Sequence, residues 1–114
     1  MATTRNDRKT GIVRSSGNVF ADLEFTDADE RQTKARLAFA INELIHRRRL
    51  SQAKAAQALR INQPKVSALG KYRLQGFSVE RLMRLLTALD QDVEIVIRHK
   101  PRTRRAGRVV VRTA

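Results

Sequence analysis

The sequence predicts a mainly α-helical domain that ends in a β-strand, and three patterns carry that expectation. Apolar residues recur at helical spacing from Leu37 to Ile45 and again from Val79 to Leu89. Between them, LSQAKAAQALRINQPKVSAL (residues 50–69) reads as two short helices joined by a tight turn. Near the end, β-branched residues alternate from Asp92 to Arg98, as in a strand.

Taken in order, residues 1–16 are polar and basic without period and are expected to form a flexible arm. In residues 17–25, GNVFADLEF, two of the chain's four phenylalanines accompany Val19 and Leu23, so this segment is expected to dock on the core. A helix opens at Thr26, where Thr26-Asp27-Ala28-Asp29 resembles a capping box with Asp in place of Glu. Asp27, Asp29 and Glu30 suit the positive end of that helix. Leu37, Ala40, Ile41, Leu44 and Ile45 form its buried face. The cationic run His46-Arg47-Arg48-Arg49 at its other end has two readings: a solvated helix end that satisfies carbonyls, or a phosphate contact.

Ser51 is an N-cap, because its hydroxyl can accept from a free N–H of the first turn. Ala55, Ala56 and Leu59 then share one face, and the small alanines permit close helix crossing. Ile61-Asn62 breaks the run, Asn62 caps a second helix, and Pro64 sits in its first turn, where a missing N–H costs nothing. Val66 and Leu69 return to the core. A short apolar helix, a turn and a second helix with a polar front describe a helix-turn-helix, whose second helix enters the DNA major groove. Residues 70–77 follow as a loop. Ser78 caps a further helix with Val79, Leu82, Met83, Leu86 and Leu89 inward.

In the terminal strand, Val93, Ile95 and Ile97 share one face, with Glu94, Val96 and Arg98 on the other. A lone strand leaves its backbone groups unpaired. Pairing with the same strand of a second copy would give a two-fold homodimer; a hairpin with Val109 to Val111 is the local alternative. The basic segment HKPRTRRAGR between them reads either as a solvated tail or as an extra phosphate contact. The expected organisation is an arm (1–16), a helix-turn-helix domain with its strand (17–98) and a basic C-terminal tail (99–114).

A length of 114 residues bounds the chain to one domain with a modest core. A net charge of +13 draws polyanions, nucleic acid first and an anionic membrane or acidic protein second. With no cysteine, and with His46 and His99 far apart without a carboxylate cluster, no metal or other cofactor is expected. No stretch approaches the roughly 18 apolar residues of a membrane span, no apolar leader follows the start, and the expected location is the cytoplasm. The acidic residues near Thr26 are accounted for by capping and the helix dipole. No nucleophile, base and orienting group stand at a recognisable spacing, so an enzyme is not expected.

The blocks NVFADLEF, LSQAKAAQAL, INQPKVSAL, GFSVERLMRLLTAL and QDVEIVIR resemble the XRE-type helix-turn-helix regulators, most closely their HigA-like antitoxin branch. The resemblance covers roughly Asn18 to Arg98. It implies a lambda-repressor-like helical bundle with a C-terminal strand, dimerisation, binding to operator DNA with repression of its own operon, and neutralisation of a small RelE-fold ribonuclease toxin. It also implies that Gln52, with Ser51 on the same helix end, grips a phosphate. Two positions depart from the family pattern: Arg60 and Tyr72 stand where glycine is usual.

With Val66 and Leu69 inward, Gln63, Pro64, Lys65, Ser67 and Ala68 are left nearest the DNA. Gln63 can donate and accept together on an adenine edge, and Lys65 can reach guanine or a phosphate. Ser67 discriminates weakly, and Pro64 and Ala68 can touch a thymine methyl. Lys71 and Arg73 would add phosphate contacts without sequence information. One rival is an antitoxin that binds its toxin with little sequence-specific DNA affinity. Another is nonspecific nucleic-acid binding through the basic ends alone.

Overall fold

The computed structural model describes residues 27–114. Among them four helices form: α1 (Asp27–Arg47), α2 (Gln52–Leu59), α3 (Gln63–Gly70) and α4 (Val79–Ala88). The expected basic arm, the docked GNVFADLEF segment and the Thr26 cap lie outside the described residues. The chain divides into two compact units: residues 28–97 with 110–114, and a second whose described part is Asp27 with residues 98–109.

The core of the first unit is built from one face of each helix. Leu37, Ala38 and Ile41 come from α1, Ala55, Ala56 and Leu59 from α2, and Val66 and Leu69 from α3. Leu82, Leu85 and Leu86 of α4 and the following Leu89 complete it. Ala55 is fully buried, as the expectation of small residues at the helix contact requires. Two core residues, Leu74 and Phe77, come from the loop between α3 and α4. That loop is therefore pinned by burial of apolar surface at both positions. Val111, far along the chain, also packs against this core.

Capping follows the local chemistry of the sequence. Ser51 accepts a hydrogen bond from the Lys54 N–H at 3.1 Å, Asn62 from Lys65 at 2.9 Å and Ser78 from Arg81 at 3.0 Å. Each satisfies one of the free donors of a first helical turn.

The other ends share one solution. After α1, the N–H of Leu50 donates back to the Ile45 carbonyl and that of Arg49 to His46. After α2, Ile61 donates to Ala56 and Arg60 to Gln57; after α3, Arg73 donates to Ala68 and Tyr72 to Leu69; after α4, Gln91 donates to Leu86 and Asp90 to Thr87. This paired closure needs a left-handed residue, usually glycine. At all four ends the residue is another type: Arg49 (φ 53), Arg60 (φ 59), Tyr72 (φ 58) and Asp90 (φ 67). A side chain with a Cβ costs about 1 kcal/mol or more in that conformation, least for Asp. The glycine-to-Arg60 and glycine-to-Tyr72 departures thus fall on strained backbone that the fold retains. The α4 end has a further support, since the Arg48 guanidinium donates to the Leu89 carbonyl at 2.6 Å and lies 3.9 Å from the Asp90 carboxylate.

The expected strand is not formed by the single chain. No strand occurs among the described residues, and the hairpin with Val109 to Val111 is not made. Ile95, Val96 and Ile97 stand 75%, 64% and 92% exposed, and Val93 is also exposed. Alternation of side chains defines two faces of a strand but supplies no neighbour for its backbone.

Because the Arg60 backbone already has a glycine-like conformation, Arg60→Gly is expected to raise stability. The gain is about 0.5–1 kcal/mol after the added freedom of the unfolded chain is counted. The midpoint of urea unfolding measures it.

Candidate nucleic-acid interface

The helix-turn-helix expected from residues 50–69 is present as α2 and α3. On α3, Val66 and Leu69 are buried, whereas Gln63 and Pro64 are exposed and Lys65, Ser67 and Ala68 are half-buried. Gln63 and Pro64 thus lie on the side of α3 that the core leaves open, Lys65 and Ser67 border it, and Ala68 packs partly against the core. Gln52 is exposed at the first position of α2, beside its cap Ser51, and Lys71 and Arg73 are exposed just beyond α3. The Lys65 ammonium rests 5.6 Å from the centre of the Phe77 ring. Such a contact is worth about 0.5–1 kcal/mol at an exposed site, less than the 1–3 kcal/mol of a good contact to a base. The resting position therefore does not hold Lys65 back from a duplex.

The electrostatics of this face are one-sided. From Leu44 through Val79 the chain has no Asp or Glu. Neither α2 nor α3 has an acidic residue in its first turn, whereas α4 has Glu80. The positive ends of α2 and α3 are therefore left without a carboxylate counter-charge, the arrangement that favours an external anion.

The cationic run at the end of α1 is divided in use. Arg48 is spent inside the protein on the α4 end, and Arg47 lies 3.6 Å from Glu43. His46 and Arg49 instead line an open depression of about 590 Å³ with Asn42, Ile45, Leu50, Ser51, Gly70 and Tyr72. Arg48 thus satisfies a carbonyl, at the end of α4 rather than of its own helix, and Arg49 is exposed beside the α2 cap.

Sequence reasoning missed Asn42. Its side-chain amide donates to the Leu69 carbonyl at 3.0 Å and so ties the last turn of α3 to α1 across 27 residues of sequence. No local pattern marks such a residue; only an amide on the inner side of a predicted helix hints at it.

With that geometry in view, the comparisons agree with it. Residues 19–98 match the helix-turn-helix domain family. The chain belongs to this family. A solved structure assigned to the XRE family of transcriptional regulators is 70% identical, with a TM-score of 0.76, over 78% of this chain and all of that one. This helix-turn-helix protein is thus of XRE type. No curated protein matches it. Among the described residues no helix is long and apolar enough to cross a membrane, and no group of His, Cys, Asp or Glu could hold a metal ion.

If Asn42 fixes α3, Asn42→Ala is expected to lower the unfolding free energy by about 1 kcal/mol, the worth of one part-buried hydrogen bond. Chemical denaturation of the two proteins side by side checks this.

Proposed function

We propose that this chain is a sequence-specific DNA-binding transcriptional regulator, a repressor of its own operon, which reads its operator with α3 in the major groove. The observation that carries this reading is the two-sided character of α3: Val66 and Leu69 are buried while Gln63 and Pro64 stand free at its N-terminal end. In a helix-turn-helix complex that end contacts base edges. Gln63 and Lys65 are the principal base readers, with Pro64, Ser67 and Ala68 supplying shape and methyl contacts. Ser51, Gln52, Lys71 and Arg73 take phosphates and set the register.

The working form is a homodimer in the cytoplasm. Four exposed branched residues, Val93, Ile95, Val96 and Ile97, support it, because the same segment of a second copy would satisfy the backbone and cover one apolar face. Two α3 helices about 34 Å apart then read the halves of a palindrome. The likeness of the sequence blocks to HigA-like antitoxins supports a further partner, a small basic RelE-fold ribonuclease toxin that the chain neutralises. A reading frame for such a protein beside the gene is the expected companion.

Fluorescence anisotropy with the gene's own upstream duplex and a shuffled duplex of equal length tests the operator reading. The native duplex is expected to bind at least a hundredfold tighter. Gln63→Ala is expected to cost about 1–3 kcal/mol on the native duplex and almost nothing on the shuffled one; equal binding of both duplexes by the parent protein overturns the reading.

Dimerisation has its own test. Ile95→Lys alters an exposed side chain, so helicity and melting of the monomer are expected to stay the same. Light scattering should show the dimer shifting to monomer, and native-duplex affinity should fall with it. A parent protein that is monomeric while bound to DNA sinks the dimer.

A further inference from the structure

We propose that the segment Arg98–Arg108 is a second DNA-contacting element, a basic loop that grips phosphates through Arg102, Arg105 and Arg108; this rests on the DNA-binding reading above. The last acidic residue of the chain is Glu94. Beyond it stand seven of the 24 Lys and Arg and none of the 11 Asp and Glu, so this end supplies more than half of the +13 net charge.

The segment has a built conformation. The Arg104 N–H donates to the Pro101 carbonyl at 3.2 Å and closes a turn. The Lys100 ammonium donates to the Arg104 carbonyl at 2.9 Å, and the Arg104 guanidinium to that of Ala106 at 3.2 Å. Two cations are thereby spent on holding the turn. Arg102, Arg105 and Arg108 are exposed and have no ion pair among the described residues.

On the near side of this segment the last residue tied to the helical core is Gln91, whose N–H donates to the Leu86 carbonyl, and Val93 to Ile97 are exposed. On the far side Val111 packs on that core. The roughly twenty residues between those two ties reach at most about 34 Å from their base, the length of about one duplex turn. Once α3 is seated, the phosphates within that reach are presented at high effective concentration.

The chemistry favours phosphate over an acidic protein surface. From Arg98 to Arg108 there is no aromatic residue and no large aliphatic one, and a protein interface needs such anchors at its centre. Guanidinium groups fit phosphate oxygens two at a time. Contacts of this kind add affinity uniformly and release counterions, so they leave a signature in the salt dependence.

The test is the full-length triple variant Arg102→Gln/Arg105→Gln/Arg108→Gln, titrated on the native and the shuffled duplex at several salt concentrations. The slope of log K against log salt should flatten by about 2–3, and both duplexes should weaken by the same factor, about tenfold or more near 0.1 M salt. The ratio between duplexes should stay as in the parent. An unchanged slope overturns the proposal, and the loop's charge then serves an acidic protein or a membrane. Loss on the native duplex alone also overturns it, since that is base reading. Failure of the operator reading shows separately, as a ratio near one already in the parent protein. Val111→Asp, with all the arginines kept, supplies a second readout. With helicity intact it should weaken both duplexes by releasing one end of the segment, and unchanged binding counts against a held loop.

Discussion

Helix α3 of this protein cannot stand alone, and much of the rest of the domain follows from that. An eight-residue helix falls well below the length at which a helix is even marginally stable in water. Ordering its backbone costs about 1–2 kcal/mol per residue, whereas burying Val66 and Leu69 returns about 1.5–3 kcal/mol each and the Asn62 cap about 1. Those local gains fall short, so α3 persists only as part of a shared core. Ala55 and Ala56 allow α2 to come close, Leu74 and Phe77 hold the chain that leaves α3, and Asn42 takes hold of its last turn. The exposed residues inherit their placement from the buried ones.

The same constraint separates what was legible in the sequence from what was not. The caps Ser51, Asn62 and Ser78 act on N–H groups three residues away, and each could be read from its immediate neighbours. The two-sided character of α3 was legible for the same reason, because burial on a helix repeats at a short, fixed spacing. Asn42 and Arg48 act across 27 and 41 residues, and no local pattern records such distances. Leu74 and Phe77 lie in a stretch without helical period, so their burial could not be inferred from spacing. Leu85 was missed because a helix buried along a wide face takes in positions that a narrow stripe leaves out.

The left-handed closures show a different limit. Glycine normally announces such a position, and at Arg49, Arg60, Tyr72 and Asp90 that announcement is missing. Family resemblance marked Arg60 and Tyr72 as departures; the other two left no trace. Arg48 shows why a cationic run is hard to read as a block. One residue serves a carbonyl inside the protein while its neighbour Arg49 lines an open surface, and alternate positions around a helix end point in different directions. The terminal strand is the reverse case: the alternation was plain, yet alternation fixes faces and leaves the partner open.

On the proposed reading, energetics make two copies a requirement. A specific complex is tighter than its nonspecific counterpart by about 4–10 kcal/mol. One α3 offers two strong base readers, Gln63 and Lys65, at about 1–3 kcal/mol each, which reaches only the lower part of that range. Adding phosphate contacts does not help, because they strengthen right and wrong sequences alike. Doubling the readers through a two-fold axis carries the sum across the range without any new residue type. The charge on the acid-free face from Leu44 to Val79 can then set how tightly and how fast the protein meets DNA, while the choice of sequence stays with a few side chains on α3. Pairing through Val93 to Ile97 would thus serve selectivity as much as stability, because each monomer alone carries too few readers to tell its site from the excess of other DNA.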